Sequence, residues 1–205
     1  MEGRGVARHK STARGLGAFI CFEDEAGQGL RPPKGRTWAP RGARPAVTVR
    51  GGGDGRVNIA GVACCRPGDR PHLFCRPRVC RRRKGERKAL TWTDYRDLII
   101  AVHREPAAPV VWVWDNLPVH RAPELADLAA ENKDWLRVYR LPAYAPELNP
   151  VEGIWSLLKR AIANFAAADL AALARMVKRK LKKIQHRPRL IDGCLAGTGL
   201  TIEPW

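Results

Sequence analysis

Asp115 closes a short apolar run, VVWVW at 110–114, and Glu152 follows Asn149-Pro150 at the start of a later amphipathic stretch. The first pattern is that of a β-strand and the second that of a helix start. Two carboxylates on separate elements can face one cavity, and that pairing points to a two-metal site acting on nucleic acid. Mg2+ prefers oxygen ligands in octahedral geometry, and two such ions about 3.5–4 Å apart activate an attacking oxygen and stabilise a leaving one. Asp24, beyond the apolar run 18–22, offers a third carboxylate. An ionised carboxylate at the buried end of an apolar strand costs free energy unless it is paired or metal-bound, so a neutral structural role suits Asp24 and Asp115 poorly.

Each candidate has a plainer alternative. Asn149-Pro150-Val151-Glu152 fits a capping box, with Glu152 closing back on the backbone of Asn149. Asp115-Asn116 fits a turn at a strand end. Asp24 lies between Glu23 and Glu25, and strand alternation sends 23 and 25 to one face and 24 to the other. Composition leaves open which face carries the site. Asn116 and His120 are candidates for orienting ligands, against the ordinary role of a surface or helix-start histidine. Lys159 and Arg160 lie about two helical turns beyond Glu152, within reach of phosphates, although cations on an exposed helix face are commonplace. The seven tryptophans, Trp155 included, are read as core.

The elements that must position these groups follow from pattern. Residues 1–16 are rich in Gly and Arg without a hydrophobic period and predict a flexible basic arm. Residues 18–22, 47–49 and 57–65 predict three antiparallel strands, the last two flanking the turn signal GGGDG at 51–55. The stretch 31–45, with four prolines and Trp38, predicts an ordered loop, and 76–88, with eight basic residues and one acid, an exposed one. Thr93 is the expected cap of a helix running to about His103. A strand at 110–114, a helix at 123–132, a strand at 136–141, a helix at 151–165 and a helix at 169–184 complete the reading. The class is mixed α/β, three early antiparallel strands followed by alternating helices and strands. The expected division is an arm at 1–16, a catalytic domain at 17–168 and a basic C-terminal helix and tail at 169–205.

A chain of 205 residues carrying 37 Lys and Arg against 20 Asp and Glu, net +17, is matched to a polyanion. Arg81, Arg82, Arg83 and Lys84 in the first basic segment, and Lys178, Arg179, Lys182 and Lys183 in the strip at 175–189, are the expected phosphate contacts. No stretch approaches the roughly 20 apolar residues of a membrane span, and the N-terminus lacks the apolar core of a signal peptide. A cytoplasmic, nucleoid-associated protein is expected, with its six cysteines as free thiols. A zinc site from His72, Cys75 and Cys80 is rejected on its irregular spacing.

Three blocks resemble the catalytic domain of DDE transposases of the mariner-like superfamily, in the form found in bacterial insertion sequences. They are FEDEAG at 22–27 with RTWAPRG at 36–42, WDN at 114–116 with His120, and LPAYAPELNPVE at 141–152 with Trp155 and Lys159-Arg160. The likeness covers about residues 19–165. It implies a ribonuclease H-like fold, with Asp24, Asp115 and Glu152 as a catalytic triad holding two Mg2+ ions, Mn2+ being a substitute. Ala143 stands where the family usually has a second proline. The implied activity is metal-dependent cleavage and strand transfer during DNA transposition, with double-stranded element ends and target DNA as partners and a homodimer as the working unit. Full-length relatives carry helix-turn-helix domains ahead of the catalytic domain, whereas 23 residues precede Asp24. That arrangement implies a separately encoded helix-turn-helix subunit, or else a truncated, non-catalytic relic that binds DNA or a transposase. A host nuclease on the same fold is disfavoured by the 141–152 block.

Overall fold

The computed structural model describes residues 3–43, 45–49, 55–142 and 145–200. Its centre is a five-stranded sheet. Strands β1 (Phe19–Gly29), β2 (Arg56–Cys65) and β3 (His72–Cys80) form an antiparallel meander. Strands β4 (Val110–Trp114) and β5 (Leu136–Arg140) continue it in parallel, giving the order β3-β2-β1-β4-β5. β4 is buried along its whole length, as a central strand covered on both faces must be.

Alternation along the strands feeds two cores. Ile20, Phe22, Val111 and Val113 face a layer made by helices α4 (Pro150–Ala161), α5 (Leu170–Gln185) and α6 (Pro188–Ala196). Phe19, Cys21, Val110, Trp112 and Trp114 face α2 (Trp92–Arg104) and α3 (Pro123–Glu131). The period of two along β1 therefore assigns its acids as well: Asp24 follows Ile20 and Phe22 toward α4, and Glu23 follows Phe19 and Cys21 toward α2.

Several expectations are corrected. Residues 1–16 are not an arm throughout: Gly3–Leu16 forms helix α1, whose Ala13 is fully buried and whose Thr12 hydroxyl lies 2.7 Å from the Tyr139 hydroxyl of β5. Gly17, in the left-handed region at φ +61°, turns the chain from that helix into β1. Residues 47–49 are not a strand. β1 runs on through the acidic triplet to Gly29 and takes the pairing expected of them, with Gly29 opposite Arg56; the turn signal at 51–54 lies outside the described residues.

The basic segment 76–88 is not all loop, because Arg76, Pro77 and Arg78 belong to β3. β3 is an edge strand, the place where proline and cations are tolerated in a sheet. Arg78 Nη2 lies 2.8 Å from Oδ1 of Asp94, a buried carboxylate on α2. Asp94 Oδ2 also accepts the Thr91 backbone N–H at 3.0 Å, so the cap of α2 is Thr91 rather than Thr93. α4 ends at Ala161, short of the expected 165. α5 does not stand apart as a C-terminal element, since Leu173, Val177, Leu181 and Ile184 are buried in the same core as the sheet. Among the described residues no helix is long and apolar enough to cross a membrane, and all six cysteines are free.

Candidate active site

Asp24, Asp115 and Glu152 come from three elements and line one cleft of about 550 Å³, with Asn116, Asn149 and Arg121 on the same walls. β1 and β4 are parallel neighbours paired as far as Phe22 and Val113, so Asp24 and Asp115, each two residues beyond, leave the sheet side by side. Glu152 enters from the first turn of α4, where the helix N-terminus suits an anion.

The placement of α4 depends on Asn149. Its Oδ1 accepts the Val151 backbone N–H at 3.1 Å, which caps the helix, and its Nδ2 donates to the carbonyl of Glu23 at 2.8 Å, which ties that helix start to β1. The capping box weighed as an alternative for Glu152 does not form. Its exposed carboxylate makes no hydrogen bond or ion pair with the described residues and is left to the cleft.

Asp24 is held by Trp155, whose indole Nε1 donates to Oδ2 at 2.9 Å. Gly61, opposite Asp24 on β2, makes room for that indole: a Cβ there would stand 2.5 Å from the Trp155 ring. Burial, followed by the negative charge of Glu152, pushes the Asp24 carboxyl from its ordinary 3.8 up to about 7, although the Trp155 hydrogen bond works the other way.

Asp115 lines the cleft and takes the turn role considered for it. Its Oδ1 accepts the Leu117 backbone N–H at 2.9 Å, closing the strand-end turn, and meets His120 Nδ1 at 2.9 Å. Asn116 Nδ2 braces the same turn by donating to the carbonyl of Leu141 at 3.1 Å. His120 is buried, stacked on Trp114 at 4.4 Å and met edge-on by Tyr95 at 4.8 Å. Burial lowers its proton affinity, the Asp115 charge works the other way, and Nδ1 is the ring nitrogen turned to Asp115.

On the far side of His120, Nε2 lies 3.3 Å from Oε2 of Glu23. The contact is close but not aligned as a hydrogen bond, and neither carboxyl oxygen of Glu23 has a hydrogen-bond partner. Glu23 is wholly buried, and burial, then the neighbouring Asp24 charge, pushes its carboxyl well above the usual range.

Three carboxylates and one cation give an oxygen-rich cleft that suits a hard divalent ion. The protein alone does not draw them into a closed cage: among the described residues no three His, Cys, Asp or Glu side chains form a ready metal cluster. Burial is the first cause of the elevated proton affinity of Asp24, and the repulsion by Glu152 that adds to it is one that a cation in the cleft would relieve.

Of the expected phosphate contacts, Lys159 and Arg160 line a second groove that shares Glu152 with the cleft, whereas Arg81, Arg82, Arg83, Lys84, Lys178, Arg179, Lys182 and Lys183 line neither. Trp155, read as core, is also the hydrogen-bond donor to Asp24, and Trp38 is fully exposed. Sequence reasoning missed Arg121, the second role of Asn149 and the contact of Glu23 with His120. The asparagine was detectable only as a cap, since its partner is 126 positions away.

Residues 20–173 match the family described as DDE superfamily endonuclease. No curated protein matches the chain by sequence. Among solved structures, the chain is similar to the Mos1 mariner paired end complex with Mn, at a TM-score of 0.57 and 17% identity, covering 98% of this chain and 62% of that one. It is likewise similar to a pre-cleavage Mos1 transpososome, at a TM-score of 0.58 and 15% identity, covering 98% and 62%. Against the catalytic domain of Mos1 mariner transposase the TM-score is 0.50 at 16% identity, covering 99% and 98%. The chain thus spans less than two thirds of the transposase chains in the first two assemblies, and the likeness is one of fold, the ribonuclease H-like fold that the sequence motifs implied. With its carboxylates on three elements of that fold and the family matched over most of its length, the chain belongs to the DDE superfamily endonucleases.

Proposed function

We propose that this chain is the catalytic domain of a DNA transposase, cutting and joining DNA at the ends of a mobile element with the help of Mg2+ or Mn2+. The observation that carries the reading is the convergence of Asp24, Asp115 and Glu152 on one cleft. Asp24 and Asp115 would hold the ions and Glu152 would complete the second position. When bound, the ions supply Lewis acidity to the attacking and leaving oxygens.

The chain's own side chains do the positioning. Trp155 fixes Oδ2 of Asp24, His120 and the Leu117 amide fix Oδ1 of Asp115, and Asn149 sets the helix that bears Glu152. Water attacks the phosphodiester at the element end, breaking the P–O3′ bond and freeing a 3′ hydroxyl while a proton passes to solvent. That hydroxyl then attacks a target phosphodiester, forming one P–O bond as another breaks. The partners are double-stranded element ends and target DNA, attracted by the net +17 charge. The proposed working unit is a homodimer, in which each copy acts on one end.

Asp115→Asn tests this reading. It keeps an acceptor for Leu117 and abolishes Mg2+-dependent joining of element ends to target DNA; full activity in that variant overturns the assignment.

A further inference from the structure

The cleft does not end at Glu152. On the outer side of α4 lies a groove of about 420 Å³, floored by Glu152, Ser156, Lys159 and Arg160 and walled by Lys34 and Arg36. All four cations are exposed, and none is paired with an acid among the described residues. The acid of this groove is the carboxylate it shares with the catalytic cleft.

The wall that carries Lys34 and Arg36 is built rather than incidental. Asn164, just beyond α4 and in the left-handed region at φ +58°, donates its backbone N–H to the carbonyl of Pro33 at 3.0 Å. Its side-chain amide pairs with Gly35 in both directions, Nδ2 donating to the carbonyl at 2.9 Å and Oδ1 accepting the N–H at 3.1 Å. An amide that bonds both backbone groups of one residue fixes that residue as a neighbouring strand would. Gly35 sits so close to the end of α4 that a Cβ would stand 2.6 Å from the Ala163 methyl. Residues 33–36 are thereby a strap, fastened to the helix at one asparagine, with cations facing cations across the groove.

We propose that this groove binds the sugar-phosphate backbone of the single DNA strand that continues from the reacting phosphodiester, and that Asn164 is the positioning residue that makes the groove. Four uncompensated cations and a hydroxyl select a polyanion, and continuity through Glu152 selects the strand already engaged at the carboxylates. The occupant rests on the reading of the cleft as a phosphodiester site, whereas the groove's affinity for a strand does not require turnover.

The test measures binding of the whole chain, in EDTA, to a labelled duplex whose reacting strand is extended as a single-stranded tail, across a series of salt concentrations. Each phosphate contact in a single strand contributes about 0.7 to the slope of log K against log salt, so Lys34→Ala with Arg36→Ala lowers the slope by about 1.4. Asn164→Gly, which accepts the left-handed backbone but releases the strap, lowers it comparably without removing a charge. A blunt duplex is bound equally by all three proteins. The proposal is overturned if the double variant keeps the wild-type slope on the tailed DNA, or if Asn164→Gly does so while melting normally. Because no metal is present, loss of joining in Asp115→Asn and loss of slope here report on different claims.

Discussion

The charge stored at Asp24 predicts how stability responds to pH and to metal. In the folded chain this carboxyl is raised from 3.8 to about 7, by burial first and by Glu152 second. A carboxyl raised on folding contributes stability that is fully present below its unfolded value and is lost as pH climbs through its folded value. The interval is roughly three units, which at about 1.4 kcal/mol per unit sets a ceiling of about 4 kcal/mol, lost between about pH 4 and pH 7. Asp24→Asn removes the penalty while leaving an oxygen to accept from Trp155. In EDTA the variant and wild type unfold alike near pH 3, below the unfolded value of the carboxyl, and by about pH 8 the variant is the more stable by up to about 4 kcal/mol. For a chain of this length that is up to about 8–16 °C in Tm. Glu23 and Glu25 are also raised and remain in both proteins; because the Asp24 charge is one cause of the Glu23 shift, the difference reports Asp24 together with that coupling. Mg2+ raises the melting temperature of wild type more at pH 8 than at pH 5 and does little for the variant. A difference between the two proteins that is flat with pH would refute the account of Asp24.

Trp155→Phe removes the N–H that favours ionised Asp24; with about 1.5–3 kcal/mol expected for a hydrogen bond to a charged group, joining slows on the order of 10- to 100-fold. Because that bond lowers the Asp24 pKa, its loss also moves the acid limb of the pH–rate profile upward, and a slower enzyme with an unmoved limb would assign Trp155 to packing alone. Asn149→Ala loses a cap worth about 1 kcal/mol and strands the Glu23 carbonyl at a further cost of about 1–3 kcal/mol, read as a reduced denaturation midpoint. Asn149→Asp keeps the cap but has no N–H for that carbonyl, so it recovers only part of the loss; full recovery would show that the tie to β1 is energetically empty.

What was legible in the chain was local. The apolar run ending at Asp115, the asparagine-proline start before Glu152 and the 3.6 period of α5 each announce themselves within a few residues, and the structure keeps all three. Non-local partners reversed the rest. Arg76 and Arg78 read as loop until Asp94, on another element, supplies the charge that seats them in an edge strand. The helix at Gly3–Leu16 has few large apolar residues, and its evidence is a buried Ala13 and a hydroxyl pair with β5. Glu152 fitted a capping box by spacing, but Asn149 spends its amide on β1 and the glutamate remains free. A motif resemblance pointed to the carboxylates; it did not point to their hydrogen-bond donors, because no spacing rule pairs a tryptophan with an aspartate 131 positions away.

Three consecutive acids in a central strand look like an error in a folding code, yet the period of two separates them usefully. Asp24 turns to the α4 side, where Trp155 meets it, and Glu23 turns to the α2 side, where His120 lies 3.3 Å away. The same residue 23 offers its backbone carbonyl to Asn149, the cap of the helix that bears Glu152. His120 in turn meets Oδ1 of Asp115. One position of β1 therefore touches the supports of all three carboxylates: its neighbour is the first, its carbonyl anchors the helix of the second, and its side chain abuts the histidine that orients the third. A wholly buried carboxyl without a hydrogen-bond partner is costly. Its position at the junction of these supports makes the register of β1 decisive, because a shift of β1 by one residue would exchange the faces of Glu23 and Asp24 and dismantle all three at once.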